Sequence, residues 1–520
     1  MNVRRVAIVG GGPGGLYAAR LLRLADPGME VVVHEQGLPE TTFGFGVALG
    51  ARTQRNLEAA DPDTLRDILA ASHPHDMSMQ VGDRIARVPG GRLVAIARTE
   101  LLTVLTRHAE KAGVDLRHGE RVAADDLDAD LIVIADGVSS AARTAHADAF
   151  GARVDVGRGI YLWAGAEFAL DEALFAPATT QHGTFVAHAY PYAPDRSTFL
   201  VEVDEGAWRR AGFDRTTELT EPDASDEEAL AYLSDAFADR LRGHRLIGNR
   251  TRWSRFRTVT CERWSHGNQV LLGDAAHTAH YSVGSGTKLA MEDAIALCEA
   301  LAGESDRGTA LARYQSERKP EVERMQDLAR RSQRWWDSFP GRAHLPVDQL
   351  TIAYMTRAGN VSLDRFAAST PEVARAGLAE YAGSQPGEVD LDAPVDWVTT
   401  RPLGKFPGRI VTREAFAADA FVEVTDIPAD PWGTEADELV ERLTRDGRPV
   451  WLTGGSARSE LLTCLDLAER LRLGHVPRVV TEGAAGLLPD LAAGLAAART
   501  DLIALGPPGP AAGQPMTPTS

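Results

Sequence analysis

Gly10, Gly12 and Gly15 stand in a G-x-G-x-x-G spacing directly after the apolar run Val6–Val9 and before an Ala/Leu-rich segment. Gly10 permits a tight turn, Gly12 lets backbone approach a pyrophosphate, and Gly15 lets helix and strand pack closely. The helix that follows points free N–H groups and the positive end of its dipole at the phosphates. Glu35 comes twenty positions after Gly15, at the end of a second apolar run, where its carboxylate can accept hydrogen bonds from ribose hydroxyls. Together these residues predict dinucleotide binding. By themselves they do not separate NAD from FAD, and a glycine turn without function is the plain alternative.

Two later elements carry more. One is Asp130-Leu-Ile-Val-Ile-Ala-Asp136-Gly137-Val-Ser-Ser140-Ala-Ala-Arg143. The other is Gly273-Asp274-Ala275-Ala276-His277, followed by Gly284-Ser285-Gly286 and a helix containing Glu292-Asp293-Ala294. In this order the elements resemble the single-component FAD-dependent aromatic hydroxylases, the group of para-hydroxybenzoate hydroxylase. The resemblance covers residues 1–380. It implies that Asp136, Gly137 and Arg143 lie near FAD and a transient nicotinamide, and that Asp274 bonds the ribityl chain. It also implies that Gly273, Gly284 and Gly286 shape the flavin loop and that Arg98 contacts the flavin. The runs Thr42-Phe-Gly-Phe-Gly-Val47, Ala187-His-Ala-Tyr-Pro-Tyr192, Cys261-Glu-Arg-Trp264 and Leu271–Ala294, with His280-Tyr281 and Lys288, are similar to the salicylyl-CoA 5-hydroxylase and anthraniloyl-CoA monooxygenase subfamily. A violacein-pathway tryptophan-type hydroxylase shares several of them, so an indole or tryptophan-type substrate is the alternative.

The implied chemistry is hydroxylation of an electron-rich ring. FAD reduced by NADH or NADPH reacts with O₂ to give a C4a-hydroperoxide, and the position para to a ring OH or NH₂ is favoured. The leading expectation is conversion of salicylyl-CoA to gentisyl-CoA. The protein's part is positioning, exclusion of water and stabilisation of charge. His188, Tyr190, His280 and Tyr281 are the catalytic candidates for polarising the ring substituent, each readable also as ordinary strand or loop packing. His277 reads as a residue orienting the flavin loop. A CoA handle could meet phosphate-binding groups among Arg250, Arg252, Arg255 and Arg257 or Arg330, Arg331, Arg334, Trp335 and Trp336, though solvated faces explain any one of them.

The elements that must position these residues follow from periodicity. Val6–Val9, Leu16–Leu24 and Val31–His34 read as a βαβ opening, Thr99–Ala112 as a helix, and Leu131–Ala135 and Gln269–Leu272 as buried strands. Lys288–Leu301 and Ala310–Trp336 read as helical. Between them, Ile160–Trp163, Thr184–Tyr190 and Ser197–Val203 read as aromatic-rich strands. The expected fold is α/β: a Rossmann-like FAD-binding domain of the para-hydroxybenzoate hydroxylase type (about 1–155 and 265–385) with an inserted mixed β-sheet substrate domain (about 156–264). A Pro/Gly/Asp-rich linker is expected over 386–409, a small C-terminal β/α domain over 410–505, and a disordered tail over 506–520. The C-terminal alternation is similar to the last units of an ene-reductase barrel. Some 130 residues are too few for the roughly 250 of a full barrel, so a non-catalytic remnant is expected.

Bulk properties narrow the partners. The 73 acidic residues exceed the 55 basic ones, for a net charge of −18, which argues against nucleic acid and anionic membranes. Cys261, Cys298 and Cys464 have no metal-ligand spacing, so no metal is expected and the thiols read as reduced. No apolar run reaches the ~18 residues of a membrane span, and the glycines after Val9 prevent a signal-peptide core. A cytoplasmic enzyme is expected. Its partners would be an aromatic CoA thioester, O₂ and NAD(P)H, with a homodimer as the candidate assembly.

Overall fold

A computed structural model of the 520-residue chain describes residues 3–38, 44–284, 286–416 and 420–506. Thr42 and Phe43, Ser285 and the tail from 507 onward, all invoked above, lie outside the described residues. Two units are distinguished: residues 1–78 with 90–337, and residues 79–89 with 338–520.

The first unit begins with β1 (Arg5–Val9), α1 (Pro13–Ala25) and β2 (Glu30–Glu35), followed by α2 (Arg98–Lys111), β3 (Asp115–His118) and β4 (Leu131–Ile134). The uninterrupted apolar runs of β1 and β4 suit strands covered on both faces, which parallel pairing requires. β1 pairs in parallel with β2 on one side (Val6 beside Val31) and β4 on the other (Val6 beside Leu131). The strand order therefore reverses at β1, where an open α/β sheet makes its ligand crevice.

The chain then builds a second sheet from β5 (Ala152–Ala166), β6 (Ala173–Thr180), β7 (Gly183–Ala193), β8 (Arg196–Val203) and β9 (Ser254–Cys261). Within this unit the pairing is antiparallel, a refinement of the mixed sheet expected, because two-residue hairpin loops join β6 to β7 and β7 to β8. Alternation splits the sheet into two unlike faces. Ile160, Leu162, Phe185, Ala187, Phe199 and Val201 are buried against Leu230, Leu233 and Phe237 of the helices that follow β8. The register puts Tyr161, Trp163, His188, Tyr190, Thr198 and Glu202 together on the opposite face.

The chain returns to the first sheet with β10 (Gln269–Leu271), parallel to β4. After it come α3 (Gly286–Gly303) and α4 (Arg307–Asp337), a single helix of 31 residues with Pro320 inside it. In the first unit Val6, Ile8, Leu16, Leu131, Val133, Leu271 and Leu297 belong to one buried core.

The second unit ends in β11 (Val422–Val424), α5 (Thr434–Asp446), β12 (Val450–Thr453), α6 (Arg458–Leu473), β13 (Val479–Ala484), α7 (Leu488–Ala496) and β14 (Leu502–Gly506). The four strands are parallel and lie in chain order. Val450, Leu452 and Val479 are buried with α5 and α6. Trp451, Val480, Leu502 and Ala504 are buried with Phe406 and Val411. Val411 N–H donates to the Ile503 carbonyl at 2.9 Å, and Ile503 N–H to that of Arg409 at 2.9 Å. Residues 386–409, expected as a linker, are thus folded: a 3₁₀ turn Pro386–Glu388, a helix Pro394–Thr399 and a buried Trp397 that donates to the Glu388 carbonyl at 2.9 Å. The apolar side chains among the prolines are the reason. The division falls after Asp337, not after 385.

Among the described residues, no helix is long and apolar enough to cross a membrane, and no cluster of His, Cys, Asp and Glu could hold a metal ion. The three cysteines are buried and unpaired. Burial pushes the Cys261 thiol up to about 11 and Cys464 to about 12, so neither is a ready nucleophile.

Candidate flavin and substrate site

The turn after β1 is built for close approach. Gly10 has φ +109°, and a Cβ there would sit 2.3 Å from the Ala135 carbonyl oxygen. A Cβ on Gly15 would lie 2.1 Å from the Gly10 carbonyl oxygen, so turn and helix are in direct contact. At Gly12 a Cβ would meet nothing within 4 Å, which leaves the start of α1 open to a ligand. Glu35 accepts from Gly11 N–H at 2.7 Å and Gly37 N–H at 2.7 Å. The turn thus fixes the carboxylate, whose remaining lone pairs can take ribose hydroxyls.

Asp136 follows β4 and accepts from Ala141 N–H at 3.0 Å through Oδ2, while its buried Oδ1 has no hydrogen-bond partner among the described residues. Gly137, at φ +83°, is open beside it. Arg143, implied by the resemblance to lie near the cofactor, sits between the two loops. It is 4% exposed, and its guanidinium donates to the Ala275 carbonyl at 3.0 Å and that of Val138 at 2.6 Å. It ties the Asp136–Gly137 loop to the Gly273–Asp274 loop, with its donors turned to backbone.

Gly273 opens the second loop, and Asp274 is set into it. Burial raises the Asp274 carboxyl above the usual range, against the pull of His277, Arg98 and Arg143. Arg98, at the start of α2, has a buried Nε with no hydrogen-bond partner among the described residues. Burial lowers its pKa while Asp274 opposes the drop. Gly284, at φ +60°, and Gly286 lead into α3, with open space at Gly284. Behind this loop His277 Nε2 lies 2.7 Å from Asp293 Oδ2, and Arg318 Nε donates to Asp293 Oδ1 at 2.9 Å. Burial would raise the Asp293 carboxyl, but His277 and Arg318 outweigh it and hold it low. Gly273 N–H also donates to Asp293, at 3.1 Å. His277 therefore anchors the loop. An open phosphate turn, a fixed ribose acid, and orphaned buried polar atoms on Asp136 and Arg98 with Asp274 nearby fit FAD.

The aromatic face of the second sheet meets the end of the same loop. Tyr281 has Tyr161, Trp163, Phe256 and His188 around it, with ring centroids 5.0, 5.9, 5.9 and 6.3 Å away. His280 lies 4.0 Å from Tyr281 by ring centroid, and its Nδ1 is 2.8 Å from Ser282 Oγ. His188 is 6% exposed and packs against Trp336 at 4.1 Å. The structure therefore brings His188, His280 and Tyr281 together. Tyr190 shares the sheet face, but its hydroxyl donates to the Gly46 carbonyl at 2.8 Å and its ring stacks on His75 at 6.0 Å. Burial pushes that hydroxyl up to about 12. Tyr190 holds the wall to the strand at Gly46. Of the arginines considered for phosphate, Arg252 donates to the Thr217 carbonyl at 2.8 Å and Arg255 to Glu205 at 2.7 Å. Glu202, buried on the same face as His188, carries no signal in the sequence pattern, which marks Trp163 and Tyr161 only as strand residues.

A reversed parallel sheet with this turn and two cofactor loops defines a dinucleotide-binding flavoprotein. Residues 4–329 match the FAD-binding domain family. The salicyloyl-CoA 5-hydroxylase of a Streptomyces species is 43% identical over 363 residues, 68% of this chain and 70% of that protein. The 3-hydroxy-4-methyl-anthranilyl-[aryl-carrier protein] 5-monooxygenase of Streptosporangium sibiricum is 40% identical over 361 residues, 69% and 95%. Among solved structures, 2-methyl-3-hydroxypyridine-5-carboxylic acid oxygenase shares the fold, with TM-score 0.52 and 22% identity over 72% of this chain and 97% of that one. The chain belongs to the FAD-binding domain family, as an FAD-dependent aromatic hydroxylase.

Proposed function

We propose that the protein hydroxylates the ring of an aromatic CoA thioester, converting salicylyl-CoA to gentisyl-CoA. NAD(P)H, O₂, a proton and the ring substrate give NAD(P)⁺, water and the hydroxylated ring. The observation that carries the reading is the 43% identity to a salicyloyl-CoA 5-hydroxylase over 363 residues. FAD held by the site residues would supply the redox chemistry, hydride acceptance from the nicotinamide and transfer of one oxygen atom of O₂.

The chain's own residues bind and orient. The turn at Gly10–Gly15 and Glu35 hold the adenosine half of FAD. Arg98, Asp136 and Asp274 hold the flavin half, and Arg143 and the His277–Asp293–Arg318 network keep the two loops in register. The face made by Tyr161, Trp163, His188 and Tyr281 supplies an apolar, water-excluding wall for a flat ring, with polar atoms at one edge. The thioester handle adds binding energy remote from the reacting carbon, which holds the ring in place.

The test is a substrate panel with the FAD-loaded enzyme. NADH or NADPH oxidation and O₂ uptake should rise with salicylyl-CoA at least about tenfold more than with salicylate, and mass spectrometry should show a CoA ester one oxygen heavier. Equal stimulation by salicylate removes the CoA assignment, and stimulation only by an indole-bearing substrate replaces it.

A further inference from the structure

Strand β5 runs beyond the sheet on one side. Its pairing with β8 begins at Ile160, whereas β9 accompanies it from Ala152. Residues 152–156 therefore have one open edge among the described residues. The open stretch ends at a bulge, where the register with β9 shifts between Val156 and Ile160. There the backbone presses on α4: a Cβ on Gly157 would lie 2.2 Å from Gln333 Nε2, and one on Gly159 2.2 Å from Asp337 Oδ1. Hydrogen bonds on the far side of β9 fix which groups the open edge presents. Val259, opposite Val154, donates its N–H to Thr278 Oγ1 at 2.8 Å, and its carbonyl accepts from Gln326 Nε2 at 2.8 Å. The carbonyl of Arg257, opposite Val156, accepts from Thr278 Oγ1 at 2.6 Å. Both residues thus turn their polar groups away from β5. In an antiparallel ladder the residues facing them do the same, so Val154 and Val156 aim N–H and C=O at the open edge. By the two-residue period Ala152 joins them, while Arg153 and Asp155 bond inward to β9.

The side chains are exposed as well. Val154 is 47% exposed and Val156 59%, while Val259 beside Val154 is buried. An edge that presents N–H and C=O groups and β-branched residues to solvent is a template for another strand. The order of its own residues makes a second copy the fitting partner. Turned antiparallel about Val154, the run Ala152-Arg-Val-Asp-Val156 sets Val154 against itself, Ala152 against Val156 and Arg153 against Asp155. This register joins the outward N–H and C=O groups and, on the other face, opposes unlike charges on either side of the axis. Moving the axis to Arg153 or Asp155 keeps the backbone bonds but opposes like charges. Moving it by half that step faces outward groups with inward ones. Arg153 reaches Glu262 at 3.2 Å within its own chain, in an exposed pair that is worth little. We propose that residues 152–156 form a two-fold interface with a second copy of this chain, in which β5 of one protomer adds to β5 of the other about Val154. Such an interface is closed and self-complementary, so it yields a dimer and stops there.

The test is sedimentation velocity of the full, FAD-loaded chain from about 1 to about 100 µM. The open edge is a small contact, so the wild type should dimerise reversibly within that range. Arg153→Asp leaves acids at both charged positions and Asp155→Arg leaves bases at both, so each variant repels its own copy. Each should weaken the dimer at least about tenfold. Mixing the two variants should restore a dimer with one copy of each, because the acids of one then face the bases of the other. The double variant Arg153→Asp/Asp155→Arg should associate as the wild type does. Flavin content should match the wild type throughout, since neither residue belongs to the flavin site. A wild type that stays monomeric across the range overturns the proposal. So does a dimer that both single variants leave intact, or a mixture of the two that fails to associate.

Discussion

The opening βαβ of the first unit and the four-stranded sheet of the second use the same parts to different ends. Each has parallel, apolar strands, and each has a strand running into glycines ahead of a helix: Val9 into Gly10–Gly15, and Thr453 into Gly454-Gly455. In the first, order reverses at β1 and the turn stays open at Gly12. In the second, β11 to β14 follow in sequence, so no reversal opens a crevice. A Cβ on Gly455 would lie 1.8 Å from Glu460 Oε2, so the glycine is covered by a side chain. Arg413 bridges Glu423 at 2.7 Å and Glu482 at 3.0 Å, over the Trp451 ring. Fold class alone does not make a nucleotide site; strand order and an uncovered turn do.

The largest test of this contrast is Gly10→Ala. A methyl group would meet the Ala135 carbonyl oxygen at 2.3 Å in a backbone conformation that L-residues disfavour. The purified variant should carry essentially no flavin, losing more than about 100-fold in FAD affinity; a variant purified yellow at full flavin content breaks the comparison. Next in size is Glu469→Gln in the second unit. Glu469 is buried, with Arg342 Nε at 2.7 Å and Arg499 Nε at 3.5 Å. Removing its charge takes a buried carboxylate from Arg342 and weakens the pairing of Arg499, which keeps Asp466. Unfolding of the second unit should become easier by about 3–5 kcal/mol, measured by urea denaturation. The flavin spectrum should stay as in the wild type, and loss of flavin would show that the two regions are energetically coupled.

Much of both regions was legible because buried parallel strands read as continuous apolar runs and glycine turns mark their ends. Val6–Val9 becomes Arg5–Val9, and in the second unit the apolar run Pro449–Thr453, which reads as a strand, becomes Val450–Thr453. Glu202 was not legible. Its strand, Arg196–Val203, is buried on both faces apart from its first residue, so alternation is masked until the register with β5 and β7 sorts Glu202 from Val201. The work of Arg143 was hidden for another reason: its acceptors are carbonyls of residues 138 and 275, which carry no sequence signal. The folding of residues 386–409 was obscured by proline and glycine, whose turn chemistry outweighed Trp397 and Phe406 in the reading.

The two units also treat buried acids differently, and pH separates them. Burial would raise the Glu469 carboxyl, but Arg342 and Arg499 hold it below the usual range. Its contribution to stability is therefore present above the ordinary value of 4.5 and is lost as pH falls through the lowered value. Asp337 is the reverse. Burial lifts it to about 6, more than Arg334, Arg158 and Arg255 pull it down. Its contribution is present below the ordinary value of 3.8 and is lost as pH rises through about 6. Over that interval the cost reaches about 3 kcal/mol, at ~1.4 kcal/mol per pH unit. Asp337→Asn should thus raise the melting temperature of the flavin-bearing unit by several degrees at pH 8 and leave it unchanged at pH 4. A gain of equal size at both pH values would mean that charge is not the cause.

The smallest expected effect is Gly455→Ala, the counterpart of Gly10→Ala. The contact a methyl group would make there is with the end of the Glu460 side chain, not with backbone, and no left-handed conformation is at stake. Glu460 can rotate away. What it loses is the hydrogen bond its Oε2 accepts from Ala457 N–H at 3.0 Å, ahead of α6. An end-of-helix bond of this kind is worth about 0.5–1 kcal/mol, and removal of a flexible glycine from the unfolded chain offsets part of it. Thermal unfolding and flavin content should therefore both stay near wild type. If Gly455→Ala instead stripped the flavin, the glycine turn of the second unit would be doing the binding here assigned to Gly10–Gly15, and the contrast between the two sheets would be reversed.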